Sequence, residues 1–284
     1  YVWVVGVRHL VETAVRSAPS FAAAESRGVL VSELLNPESL RRSLAPYLTY
    51  PPVFVTVSGA HLYGFPSPDS DVDLRGAYLM PLEAVVGLYP AQETITCTFD
   101  EDEREIDLVA HDLHKFLRLL LKRNGYVLEQ LYSPLVVQGS AALDELRVLA
   151  RDCITRHVYH HYAGFARHQI QRLEAESPPS AKTLLYVYRV LLTGIWLLRT
   201  GEVEANLRHL NATFRLHIIP ELIAQKQAEH AVLLDIHLDN HQHTIAQLQA
   251  QLETAFQESG LPEEPANVTA LNDFLVQLRR EGLR

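Results

Sequence analysis

The hydrophobic pattern of this chain changes period once, and that change bounds the fold. Up to about residue 110 apolar residues alternate in short runs; from His111 onward they recur every three to four positions. Period two belongs to half-buried strands and period 3.6 to amphipathic helices. The chain therefore reads as α+β: a small mixed sheet with helices over residues 1–135, then an all-helical domain over 136–284. At 284 residues each part is long enough for its own core.

Within the first part, helices are expected over 7–26 and 33–44, strands over 53–57 and 72–79, and a short helix over 81–88. Residues 93–99 and 104–110 alternate around the acidic turn Asp100-Glu-Asp-Glu103, which predicts a hairpin. Its second strand places Glu105, Asp107 and Val109 on one face, and Ile106 and Leu108 on the other. Helices follow near 113–121 and 127–132, then over 140–150, 152–175, 181–200, 213–230, 240–258 and 269–281. The breaks fall at Ser177-Pro-Pro-Ser180, Gly201, Asn211 and Gly260-Leu-Pro262.

The stretch that concentrates chemistry is Val55-Thr-Val-Ser-Gly-Ala-His-Leu-Tyr-Gly-Phe-Pro-Ser-Pro-Asp-Ser-Asp-Val-Asp-Leu-Arg75. A strand breaks at Gly59, and a second strand carries Asp71 and Asp73 on one face. Asp107 lies on a later strand. Mg²⁺ or Mn²⁺ takes oxygen ligands and keeps open positions for phosphate, so carboxylates from adjacent strands can hold it against a triphosphate. Ser58, Gly59, Ala60 and His61 form the turn whose backbone N–H groups would face that triphosphate. Ser70 either meets the ligand or braces the turn before Asp71. Taken alone, Asp-x-Asp is a short match that solvated acidic turns also produce.

A triphosphate needs cations. Arg75 shares a strand face with Asp73, Lys115 follows the third aspartate, and Lys182 and Arg189 fall seven apart on one helix face. Each is equally readable as surface charge or an ion pair. Tyr63, Tyr186, Tyr188 and Trp196 can stack a base or pack a core. His157 with His161, and His237 with His241, have i, i+4 spacing but lack the His-Glu-x-x-His pattern, so structural roles are favoured. His111-Asp112 matches a dipeptide of metal-dependent phosphohydrolases without that group's other stations.

Net charge is −9 at neutral pH, which excludes bulk polyanion binding but leaves room for a local basic groove. Two cysteines, Cys97 and Cys153, make no disulfide framework. No apolar run suggests a membrane span, and Tyr1-Val-Trp-Val-Val-Gly-Val7 is too short and lacks a basic leader for a signal peptide. A cytoplasmic protein is expected.

Ser58 to Gly76, with Asp107, His111-Asp-Leu-His-Lys-Phe116, Asn124 and Glu129-Gln-Leu-Tyr-Ser-Pro134, resembles the RlaP-like (RNA-ligase-associated) nucleotidyltransferases of the DNA polymerase β superfamily. The resemblance is specific over 53–135 and looser at Lys182-Thr-Leu-Leu-Tyr-Val-Tyr-Arg189 and Leu198-Arg-Thr-Gly201. It implies a polymerase-β-type nucleotidyltransferase core with Asp71, Asp73 and Asp107 as metal ligands. It also implies transfer of a nucleoside monophosphate from ATP or another NTP, with release of pyrophosphate. The acceptor implied is an RNA 3′ end, in RNA repair and alongside an RNA ligase or related proteins. A protein, tRNA or small-molecule acceptor, as in toxin-like members, and a non-catalytic nucleotide sensor stay open. One departure is Ala60, where the superfamily has Ser or Gly; a missing hydroxyl bond would weaken the phosphate grip by about 0.5–1.5 kcal/mol.

Overall fold

The computed structural model describes residues 36–89, 91–101, 104–228 and 238–283, with no side-chain description at 238–240. The helix expected over 7–26, the first residues of the next one, and His237 lie outside them. Among the described residues five strands form one mixed sheet: β1 (Pro52–Val57), β2 (Val72–Tyr78), β3 (Thr94–Glu101), β4 (Arg104–Asp112) and β5 (Val136–Gly139). The order is β3-β4-β2-β1-β5, with β2 and β4 parallel and the other neighbours antiparallel.

Alternation along two strands sets the two faces of the sheet. Val72 and Leu74 on β2, and Ile106, Leu108 and Ala110 on β4, bury into one core. Helix α1 (Pro37–Leu44) covers that face with Leu40 and Leu44. It starts with Pro37 just inside and Asn36 as N-cap, whose side chain accepts from the Glu38 and Ser39 amides. Asp73, Arg75, Asp107, Val109 and His111 occupy the alternate positions and so project from the opposite face.

That opposite face meets α2 (Gly59–Tyr63), α4 (Leu113–Leu121) and α5 (Gly125–Leu131); α3 (Leu82–Val86) lies between β2 and β3. The remaining helices are α6 (Ala141–Arg151), α7 (Tyr159–Ala175), α8 (Ala181–Thr200), α9 (Leu207–Phe214), α10 (Ile218–Gln227), α11 (Leu238–Glu258) and α12 (Val268–Glu281). Helix α8 is their axis, buried against α7, α9, α10 and α11. One apolar cluster runs from Phe54 on β1 through Phe116 and Leu128 to Leu191 and Phe274, so the sheet and the helical half share a core.

Three details differ from the sequence reading. The segment Val136–Gly139, read as lying beyond the α/β part, is the edge strand β5 and pairs with β1. The helix expected over 213–230 is α10 and starts at Ile218, while α9 runs through the break expected at Asn211 and ends where Arg215 takes a left-handed conformation (φ 55°). Helix α8 is long and apolar enough to cross a membrane, but most of it is buried inside the protein. Its apolar surface is therefore spent on core packing.

Candidate active site

The parallel register of β2 and β4 sets Asp73 directly beside Asp107. Asp71 sits one residue before β2 and is exposed. Gly59 opens α2 at φ +58°, and a Cβ there would lie 1.8 Å from Asp73 Oδ2. A side chain at 59 is thus barred twice, by its backbone conformation and by the carboxylate. Ser58 N–H donates to the Asp73 carbonyl at 2.8 Å, which pins the turn to the strand.

Arg75 joins the acids. Its Nη2 donates to Asp73 Oδ1 at 2.6 Å and to Asp107 Oδ2 at 2.9 Å. Burial pushes the Asp73 carboxyl above its ordinary pKa; Arg75 pulls it down, and Asp71 and Asp107 push it up again. Lys182 adds a smaller downward pull, so burial is the chief reason that the Asp73 carboxyl sits high.

Above these groups opens a cavity of about 370 Å³. Its walls include Ser58, Gly59, Asp73 and Arg75 together with Tyr63, His111, Asn124, Tyr126, Gln130 and Tyr186. Burial raises Tyr126 and Tyr186 to about 12, so both stay protonated O–H donors at neutral pH. His111 Nδ1 lies 3.0 Å from Thr94 Oγ1, and burial, with Lys115 and Arg75 nearby, lowers its pKa.

The other sequence candidates separate. Ala60 is buried in the shared apolar core, so its methyl group packs and does not face the cavity. His61 is half-buried with its pKa lowered by burial, and its Nε2 has no hydrogen-bond partner among the described residues. Ser70 braces the turn: its Oγ accepts from the Ser67 amide at 2.9 Å. Lys115 Nζ donates to Thr94 Oγ1 at 2.5 Å, away from the carboxylates. Lys182 is exposed at the start of α8, close enough to lower the Asp73 pKa. Arg189 is fully enclosed, its Nη1 on Glu129 Oε1 at 2.8 Å and its guanidinium 4.0 Å above the Tyr63 ring. It is a core ion pair behind the cavity wall, not a group a ligand can touch.

Sequence reasoning missed Lys226. From α10 it donates to Ser67 Oγ at 2.7 Å and Ser70 Oγ at 3.3 Å, and burial, then Lys182, lowers its pKa. Its neighbours Arg208 and Gln227 bind the carbonyls of Gly64 and Pro66 at 2.7 and 3.1 Å. The helical half thus grips the turn before Asp71. The missing signal was tertiary, since no local pattern sets residue 226 against residue 67.

Glu93, Asp112 and His114 also bring potential metal-ligand atoms together. Asp112 is already engaged there: Oδ2 accepts from Met80 N, and Oδ1 from His114 N and Arg279 Nη2. With an arginine on its buried carboxylate, this group is a structural junction.

The family described as RlaP, RNA repair pathway DNA polymerase beta family, matches residues 42–277. The chain belongs to this family. RlaP is a DNA polymerase β-like nucleotidyltransferase family, and the mixed sheet with Asp73 and Asp107 in register lies inside the matched region. Two curated relatives are similar in part. Uncharacterized protein MJ0002 of Methanocaldococcus jannaschii is 36% identical over 55% of this chain, and uncharacterized protein YcgL of Bacillus subtilis is 28% identical over 53%. The chain spans 63% and 58% of their lengths, less than two thirds of either. Among solved structures, spectinomycin adenyltransferase AAD(9) of Enterococcus faecialis, with ATP and spectinomycin, has a TM-score of 0.42 at 14% identity, covering 76% of this chain and 97% of its own. A nucleotidyltransferase-like protein of Exiguobacterium sibiricum has a TM-score of 0.33 at 13% identity, covering 87% and 81%. At these values neither likeness bears on chemistry.

Proposed function

We propose that this protein is a divalent-metal-dependent nucleotidyltransferase that moves a nucleoside monophosphate from an NTP to the 3′-hydroxyl of an RNA. The observation that carries the reading is Asp73 in register with Asp107, with Asp73, Arg75 and Gly59 in the wall of one cavity. Two features fit a cation: two carboxylates close enough to share one guanidinium nitrogen, and a turn with no side chain over Asp73 Oδ2. Asp71, Asp73 and Asp107 would hold it.

Mg²⁺ or Mn²⁺ bound there would offset charge on the phosphate oxygens. The chain's own groups do the rest. Asp107 accepts the proton of the acceptor hydroxyl as its oxygen bonds to the α-phosphorus; the bond to the β-phosphate bridging oxygen breaks, and pyrophosphate leaves with the electron pair. Lys182, whose charge reaches Asp73, and Lys226, whose charge interacts with those of Lys182 and Asp71, suit the far end of the triphosphate. Tyr126 and Tyr186 offer ring faces and O–H donors to the nucleoside.

RNA as acceptor is supported by the RNA repair pathway in the family description. A terminal hydroxyl also demands few phosphate contacts, which suits a chain of net charge −9. An RNA ligase or another repair protein is the expected partner. Two free cysteines, one buried, suit a reducing cytoplasm.

The test is incubation with each α-labelled NTP, Mg²⁺ or Mn²⁺, and RNAs ending in 3′-hydroxyl or 3′-phosphate. Label should enter only the 3′-hydroxyl RNA and fall roughly a thousandfold or more in Asp73→Asn, as loss of a metal-holding carboxylate implies. Label on protein would remove RNA as the acceptor. Nucleotide binding without pyrophosphate release, across RNA and protein acceptors, would leave a sensor.

A further inference from the structure

Arg75 is held at four points. Nη2 donates to Asp73 Oδ1 and Asp107 Oδ2, while Nη1 donates to the carbonyls of Leu74 at 2.9 Å and Asp107 at 2.7 Å. Ligands cannot remove the two carbonyls, so one edge of the guanidinium is fixed to the strands. The edge facing the carboxylates depends on their charge. A guanidinium keeps its own charge at any working pH and cannot step aside by losing a proton.

Resting on the metal-dependent reading above, we propose that Arg75 is the resident counter-ion of the Asp73–Asp107 pair, which weakens divalent-metal binding until a triphosphate arrives. In the nucleotide-free protein Arg75 claims one oxygen of each carboxylate. Asp73 Oδ2 remains and faces the Gly59 turn. A divalent cation placed between the two acids would meet a full positive charge one carboxylate away. With Arg75 only 19% exposed, solvent screens that repulsion weakly. A bound triphosphate reverses the balance. Its oxygens offer the guanidinium a bidentate partner, and Arg75 already lines the cavity. Nη2 can then leave the carboxylates while Nη1 stays anchored, and metal enters together with nucleotide.

A purely structural ion pair would behave differently: Arg75 would keep both carboxylate bonds with nucleotide bound, its resonances would not move, and nucleotide would enhance Mn²⁺ affinity equally in wild type and Arg75→Gln. The discriminating measurement is free-Mn²⁺ titration by electron paramagnetic resonance on the whole chain, with and without an α,β-methylene NTP, for wild type, Arg75→Gln and Arg75→Lys. Arg75→Gln should bind Mn²⁺ alone at least roughly tenfold more tightly than wild type, and Arg75→Lys, which keeps the charge, within about threefold. The enhancement of Mn²⁺ affinity by nucleotide should shrink in Arg75→Gln. A second measurement needs no variant: in ¹⁵N-arginine-labelled wild type, the Arg75 guanidinium resonances should shift on adding Mg²⁺ with the analogue. Equal Mn²⁺ affinity in wild type and Arg75→Gln, or unmoved Arg75 resonances, overturns this inference alone. Absence of Mn²⁺ binding in both proteins with nucleotide present overturns the metal-dependent reading and this inference with it.

Discussion

Two arginines in this protein are paired with carboxylates, and the difference between them is permanence. Arg189 and Glu129 are 0% and 2% exposed. Glu129 also accepts from the hydroxyls of Tyr63 and Tyr162 at 3.3 and 3.2 Å. Neither charge can part from the other without standing unpaired in a low-dielectric interior. Arg75, Asp73 and Asp107 are 19%, 20% and 30% exposed at a cavity wall, where water, metal or phosphate can replace a partner. The chemistry of pairing is the same; burial decides whether it is a fastener or an exchangeable contact. Glu129 and Arg189 also lie on α5 and α8, so the sealed pair joins the catalytic sheet's helices to the helical half.

That contrast can be broken from either side. The largest effect is expected at the sealed pair: Glu129→Ala leaves Arg189 uncompensated and two tyrosine hydroxyls without their acceptor. It should cost about 3–5 kcal/mol of unfolding free energy in urea titration. A cost under ~1 kcal/mol, that of an ordinary exposed pair, would show that the pair fastens nothing. Next comes Gly59→Ala, which places a side chain at φ +58° against Asp73 Oδ2. The left-handed backbone alone implies about 1–2 kcal/mol. Nucleotide transfer should fall further than stability does, and unchanged transfer would mean Asp73 need not stay where it is.

The smallest effect is expected at the open cluster, and with the opposite sign. Burial, and then Asp71 and Asp107 against the pull of Arg75, raise the Asp73 pKa. A folded-state pKa above the unfolded one means that the folded protein binds that proton more tightly. Stability then falls as pH rises from the unfolded to the folded pKa and stays lower above it. In EDTA at neutral pH, Asp73→Asn should melt at or above wild type, and the difference should vanish as pH drops below the ordinary aspartate range. A lower melting temperature for Asp73→Asn would mean that its bond to Arg75 outweighs burial, making the open cluster a fastener too.

Much of the catalytic half was legible because its signals are local. Alternation marked β2, the β3–β4 hairpin and the face carrying Asp107, and Gly59 marked a position where a Cβ cannot go. The same strand pattern placed Asp107 next to the strand of Asp71 and Asp73, and the resemblance pointed to the same three acids. What was hidden depended on tertiary surroundings. β5 has four residues, too few for a period to show. Arg215 stops α9 in a conformation that glycine usually signals. Arg189 looked like a partner for Lys182 by spacing, yet one is exposed and the other enclosed, because α8 begins at the surface and then enters the core. Ala60 read as a lost hydroxyl, whereas the structure turns that residue into the core. Lys226 is 155 positions along the chain from Asp71, whose charge it feels.

The junction at Asp112 sets an order of events in the making of the protein. This fully buried carboxylate, where β4 passes into α4, takes its positive partner from Arg279 on α12, which also binds the Met80 carbonyl. Translation supplies residue 112 long before residue 279. The contact between them therefore cannot form until α12 has been made. Completion of the catalytic half is in this way deferred to the arrival of a distant helix.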